Sequence, residues 1–287
     1  MDIDVFVLVG QSNAVGMAKV SSLPGISDLS FPDVLIYNGG DCPAAEKNRL
    51  VPVHAGQGWG FGEEPYFGPE LGMASVFSAS KHPVAIMKYA YGGTAIFRNP
   101  DLNNKPTNHD NWHGPWDGVI PASTPEEVNE FTSGRLYTES LQTIRNGLSA
   151  LQDLGYNPVV RGLVWMQGET DGEIQFNNNK YAASSVYEHN LTELFRAFRT
   201  ELTAITGSNQ THMPIIFGEI NEFSVCIVNA AEIVAAQKQV GKQADNYYIS
   251  TCDLPIDPTI DCWHWTGKEA FELGVRFANT LKNQYSV

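Results

Sequence analysis

Short apolar runs recur down the sequence, each closed by glycine or small polar residues, and stretches of helical period lie between them. VFVLV at 5–9 is followed by VLIYN at 34–38, a helical stretch from about Pro69 to Ser80, and VAIMKYAY at 84–91. A long irregular stretch then runs to about Thr132. Beyond it come an amphipathic helix from about Leu136 to Leu154, VVRGLVWM at 159–166, and a helix from about Tyr187 to Ile205. PIIFGEI at 214–220 precedes a helix from about Ala230 to Lys242, and NYYIS at 246–250 precedes a last helix from about Lys268 to Gln284. The runs are apolar on both faces and rich in Val and Ile, as parallel strands covered on each side are. Alternation of such strands with helices predicts an α/β fold, a three-layer α/β/α sandwich around a mainly parallel sheet. No internal repeat or low-complexity linker interrupts it, so the chain reads as one domain over 1–287 with a long loop insertion at about 92–132.

Ligands of such sheets bind outside the carboxyl ends of the strands. After the first run comes Gly10-Gln11-Ser12-Asn13, after MKYAY comes Gly92-Gly93-Thr94, and after LVWM comes Gln167-Gly168-Glu169-Thr170-Asp171. After YYIS comes a loop holding Asp261-Cys262-Trp263-His264. Ser12 has the chemistry of a nucleophile if a histidine removes its proton. His264 has that chemistry, with Asp261 three residues earlier on one tight turn to fix its tautomer. The N–H of Ser12, an N–H of Gly92 or Gly93 and the side-chain amide of Gln167 are candidate oxyanion donors, with Gln11 and Asn13 flanking Ser12 as further oxyanion or substrate-binding candidates. Singly, each has a plainer role: Ser12 as a helix N-cap, His264 as a hydrogen-bonded structural residue, Asp261 as a cap, Gly92-Gly93 as a turn. Their joint arrival at strand ends is what favours a site.

Charge narrows the class. The 287 residues carry a formal net charge of -14, which speaks against nucleic acid or an anionic membrane as partner. No apolar run is long enough to span a bilayer. Acidic Asp2 and Asp4 stand where a secretory leader has its basic residues, so the expectation is a cytoplasmic protein or a secreted one whose leader has been removed. Cys42, Cys226, Cys252 and Cys262 are scattered without a CxxC pair, and free buried thiols are expected, with a Cys252–Cys262 bridge as the alternative. The aromatic residues Phe97, Trp112 and Trp116, with His109 and His113, fall in the long loop, and GQGWGFGEEPYFGPE at 56–70 forms a second aromatic loop. Both suit a rim for sugar rings, or else solvent-exposed insertions.

VGQSNAVG together with YGGTAI, WMQGETD and DCWH resembles the SGNH/GDSL hydrolase superfamily, and within it the carbohydrate esterase family 6 acetyl xylan esterases and the sialate O-acetylesterases. The resemblance runs from Val9 to His264. It implies a flavodoxin-like sandwich, no metal or cofactor, and hydrolysis of acetyl esters on sugars, acetylated xylan or xylo-oligosaccharides first and O-acetyl sialate as the alternative. It implies Ser12 as nucleophile, His264 as base, Asp261 as acid with Glu169 in support, and Gly93 and Gln167 as oxyanion donors.

Other readings remain at this stage. An α/β-hydrolase fits poorly, because Ala14 stands where its G-x-S-x-G motif needs glycine. A two-carboxylate glycosidase could use Glu169, Asp171 and Glu219. A carbohydrate-binding module could use the aromatic loops. A zinc site from Cys252, Asp261, Cys262 and His264 matches no familiar ligand spacing. Oligomeric state leaves no trace in the sequence.

Overall fold

A computed structural model describes residues 1–97, 111–114, 134–173, 175–176, 181–259 and 261–285. Every side chain from Val5 to Val9 is buried, because this strand, β1 (Asp2–Gly10), has a neighbour on each edge and helices on each face. The other strands of its sheet are β2 (Ser30–Gly40), β3 (Leu50–His54), β4 (Val84–Ala90), β5 (Asn157–Met166), β6 (Ile215–Gly218) and β7 (Asn246–Ile249). Their spatial order is β7-β6-β5-β1-β4-β2-β3. β1 pairs in parallel with β4 and β5, so that Val9 lies opposite both Tyr89 and Trp165. Taken without β2 and β3, the five strands follow the flavodoxin-like order 2-1-3-4-5. β2 and β3 extend the sheet past β4, β2 in parallel and β3 antiparallel.

The α-helices among the described residues are α1 (Ser12–Val15), α2 (Pro69–Phe77), α3 (Arg135–Asp153), α4 (Glu169–Glu173), α5 (Tyr187–Thr206), α6 (Ala230–Val240) and α7 (Gly267–Gln284). Side chains of successive strand residues leave by opposite faces. Phe6 therefore stacks on Phe77 of α2 on one face, while Trp165 and Phe217 meet Phe195 of α5 on the other. The long helices and the buried strands match the sequence expectation to within a few residues; α2 ends at Phe77, short of the expected Ser80. β3 is an addition. Its Pro52 argues against a strand in LVPVH, but an edge position has no outer ladder to break. Of the expected loop at 92–132, Phe97, Trp112 and His113 are described and buried, whereas His109 and Trp116 lie outside the described residues. Among the described residues no helix is long and apolar enough to cross a membrane.

Candidate active site

The chain turns from β1 into α1 at the point where the sheet reverses its strand order, between β1 and β5. Gly10 has φ +148°, and a Cβ on it would stand 2.0 Å from Met166 O. Only glycine lets the two strand ends close to this distance. Gln11 N–H then donates to Met166 O at 2.9 Å, and Ser12 follows as the first residue of α1. Gln11 lines the cleft, and its Oε1 accepts from Thr170 N–H at 3.4 Å.

His264 arrives from the opposite side, on the loop before α7. Its Nδ1 lies 2.7 Å from Asp261 Oδ2. Asp261 Oδ1 accepts from the N–H groups of Trp263 at 2.7 Å and His264 at 3.1 Å. Partial burial pushes the Asp261 carboxyl upward, but the hydrogen bonds from His264 and Trp263 outweigh it and hold the group below its ordinary value. Asp261 is therefore a carboxylate seated on the imidazole.

Asn13 joins the two halves. Its Nδ2 donates to Trp263 O at 3.1 Å and to Glu169 Oε1 at 2.6 Å, and its Oδ1 accepts from Trp265 N–H at 3.3 Å. The residues on either side of His264 are thus tied to the turn that carries Ser12. Asn13 is a strut rather than the substrate-binding residue the sequence suggested. Glu169 lies behind it, fully buried, with no hydrogen bond to His264 and with Oε2 lacking a partner among the described residues. Burial raises its carboxyl above the ordinary range.

Gly92 and Gly93 form the wall beside Ser12. Gly92 N–H donates to Asp41 Oδ2 at 2.9 Å. Gly93 has φ +67°, and among the described residues its N–H has no acceptor, so of the two it is the one left for a ligand. Gln167 corrects the expectation of a third oxyanion donor. It is fully buried, and its Nε2 donates to Thr94 O at 3.0 Å and to Asp171 Oδ2 at 2.6 Å. Asp171 also accepts from the N–H groups of Ile96 and Phe97, both at 2.9 Å. Its carboxyl is pushed up to about 6 by burial, against the pull of these donors. Gln167 and Asp171 brace the Gly93 loop from behind and present nothing to the cleft.

Ser12, His264, Gly92 and Gly93 open on one cleft of about 450 Å³. Trp59, Phe61 and Trp263 wall it, and Phe61 is 92% exposed with its ring centre 6.5 Å from that of His264. Two carboxylates, Asp41 and Glu173, are among its lining. The loop carrying His264 is held by a disulfide between Cys226 and Cys262, Cα–Cα 5.9 Å. This corrects the sequence expectation: Cys262 pairs with Cys226 and not with Cys252, and the free thiols are buried Cys42 and exposed Cys252. The bond also removes Cys262 from the zinc set. Glu169, Asp171 and Glu219 are all buried and none lines the cleft, which leaves the two-carboxylate glycosidase without its pair.

A family profile described as "Carbohydrate esterase, sialic acid-specific acetylesterase" matches residues 2–283. Among solved structures, a protein from Arabidopsis thaliana is similar at 17% identity and TM-score 0.64, over 99% of this chain and 100% of the other. NanS is similar at 14% identity and TM-score 0.64, over 99% and 98%. A carbohydrate acetylesterase from Xanthomonas citri is similar at 16% identity and TM-score 0.56, over 98% of this chain and 56% of the other. At these identities the three speak for the fold. Among curated proteins none matches the sequence.

Proposed function

Because the chain belongs to the carbohydrate esterase family of sialic acid-specific acetylesterases, we propose that it removes O-acetyl groups from a neutral glycan, of the acetylated xylan or xylo-oligosaccharide kind, through an acetyl-enzyme on Ser12. Membership makes it a carboxylic ester hydrolase acting on carbohydrate acetyl esters; the sugar and the residue roles are the proposal. One observation carries the roles: Ser12, His264 and Gly93 share a single cleft, with Asp261 seated behind His264 at 2.7 Å.

With Nδ1–H given to Asp261, His264 keeps Nε2 for the Ser12 proton. Oγ attacks the acetyl carbonyl as that proton moves to Nε2. The N–H groups of Ser12 and Gly93 receive the developing oxyanion, each donor of this kind being worth about 2.7–4 kcal/mol. The imidazolium returns the proton to the departing sugar oxygen. Water then repeats the cycle on the acetyl-enzyme, losing its proton to Nε2 and releasing acetate. Asp261 stays ionised throughout and stabilises the imidazolium. Glu169 supports the site through its hydrogen bond from Asn13.

The cleft lining and the charge of the whole chain support a neutral sugar. Trp59, Phe61 and Trp263 offer faces on which an uncharged ring can stack, and the net charge of -14 disfavours the approach of a substrate carboxylate. The family's description favours the second reading, an O-acetylated sialic acid. Acetate release from acetylated xylan and from an O-acetylated sialic acid, by wild type and Ser12→Ala with EDTA present, separates them. Release from xylan by the wild type alone is the expected result. Faster release from the sialate ester moves the substrate to the second reading, and equal release by both proteins removes Ser12 from its role.

A further inference from the structure

An ion pair between Lys88 of β4 and Glu70 in the first turn of α2 lies wholly inside the protein, Nζ to Oε2 at 2.8 Å with side-chain exposures of 1% and 0%. The steps proposed above use neither group. Taking two charges out of water is costly, and their mutual attraction offsets the cost only when the remaining hydrogen-bonding positions are also filled. Here two of them are filled by backbone groups, one in the turn that carries Ser12 and one beside it. Lys88 Nζ donates a second hydrogen bond to Val15 O, at the end of α1, at 2.8 Å. Glu70 Oε1 accepts from Gly68 N–H at 2.8 Å. Gly68 in turn packs against Gly16, where an added Cβ would come 2.4 Å from Gly68 N. Gly16 N–H closes on Ser12 O at 2.9 Å, and Gly16 O accepts from Trp59 N–H at 3.1 Å.

α1 has only four residues, too few to hold its own shape, since a single turn fixes several dihedrals for one hydrogen bond. Its last carbonyls need partners from outside, and a cation is the favoured partner at that end. We infer that Lys88, held in place by Glu70, is a positioning residue for the nucleophile: its ammonium on Val15 O fixes the turn so that Ser12 Oγ and Ser12 N–H keep their aim on the cleft. The inference rests on the proposed role of Ser12. Through Gly16 the same clamp also sets Trp59, so the nucleophile and one aromatic wall are held as a unit.

The test is Lys88→Met/Glu70→Gln, which removes both charges and leaves an amide oxygen for Gly68 N–H. Replacing a buried ion pair in this way often leaves stability unchanged. kcat and KM on a simple aryl acetate are read with Tm and the pH profile, beside Ser12→Ala. The double variant is expected to keep its Tm within a few degrees and its KM within about twofold, and to lose about tenfold or more in kcat, the effect of a misplaced reacting atom. The acid limb of its pH profile stays where it is, because Asp261 and His264 are untouched. Wild-type kcat in the double variant, whatever its Tm, overturns the inference. If the variant does not fold, Lys88→Met/Glu70→Leu, an apolar pair of similar volume, is read the same way. Turnover that survives Ser12→Ala removes the esterase roles themselves. An inactive Ser12→Ala beside a fully active double variant removes only the clamp.

Discussion

Nδ1 of His264 is taken by Asp261, so the proposed base has one nitrogen left, and the two carboxyl groups near it carry unequal weight. Asp261→Asn cannot hold the imidazole in the required tautomer and is expected to lower kcat by about 10⁴. Glu169→Gln still offers an oxygen to Asn13 and removes a charge that burial disfavours, so it is expected to cost less than about tenfold in kcat. Parallel turnover measurements on the two variants decide the matter; a collapse confined to Glu169→Gln would transfer the acid role. Side-chain direction is what the sequence could not convey here. That Ser12, His264 and Gly93 meet at one cleft, with Asp261 on His264, was legible because the end of a parallel strand is a place. Gln167 and Asn13 occupy equally suggestive positions but turn inward, Gln167 because Asp171, four residues on, accepts from its amide. Nothing in WMQGETD distinguishes a donor aimed at a substrate from one aimed at its own helix.

Among its described residues the loop bearing Asp261 and His264 has no helix or strand to stiffen it, and it depends on ties to its neighbours. Asn13 supplies one tie, Ser224 Oγ–H donating to Cys262 O at 2.7 Å supplies another, and the Cys226–Cys262 bond supplies the third. Closing a separation of 36 residues in the unfolded chain is worth about 4 kcal/mol by loop entropy. Titration of the unfolded, unreduced protein should therefore find two thiols, Cys42 and Cys252, and reductant should lower both Tm and turnover. Four thiols and an unchanged Tm would show the bond to be absent. The pairing was not readable from spacing, because sequence separation says nothing of which loops meet. The strands and long helices were readable, since burial on both faces writes an unbroken apolar run and burial on one face writes a helical period. α1 and α4, at four and five residues, are shorter than either signal needs.

A net charge of -14 reaches further than any contact in the cleft. Its field extends about 30 Å at 0.01 M salt and about 10 Å at 0.1 M. A sialate ester, which brings its own carboxylate, meets that field on approach. An acetylated xylo-oligosaccharide carries no charge and does not. Raising salt from about 0.01 to 0.1 M is therefore expected to increase kcat/KM for the sialate ester severalfold and to leave that for the neutral oligosaccharide unchanged. Repulsion is the only source of such a pattern here, because the two substrates undergo the same acetyl transfer. A sialate kcat/KM that instead falls as salt is added would mean that the anion is attracted. The cleft would then hold a cationic contact that overrides the net charge of the chain, and the substrate would be the sialate ester.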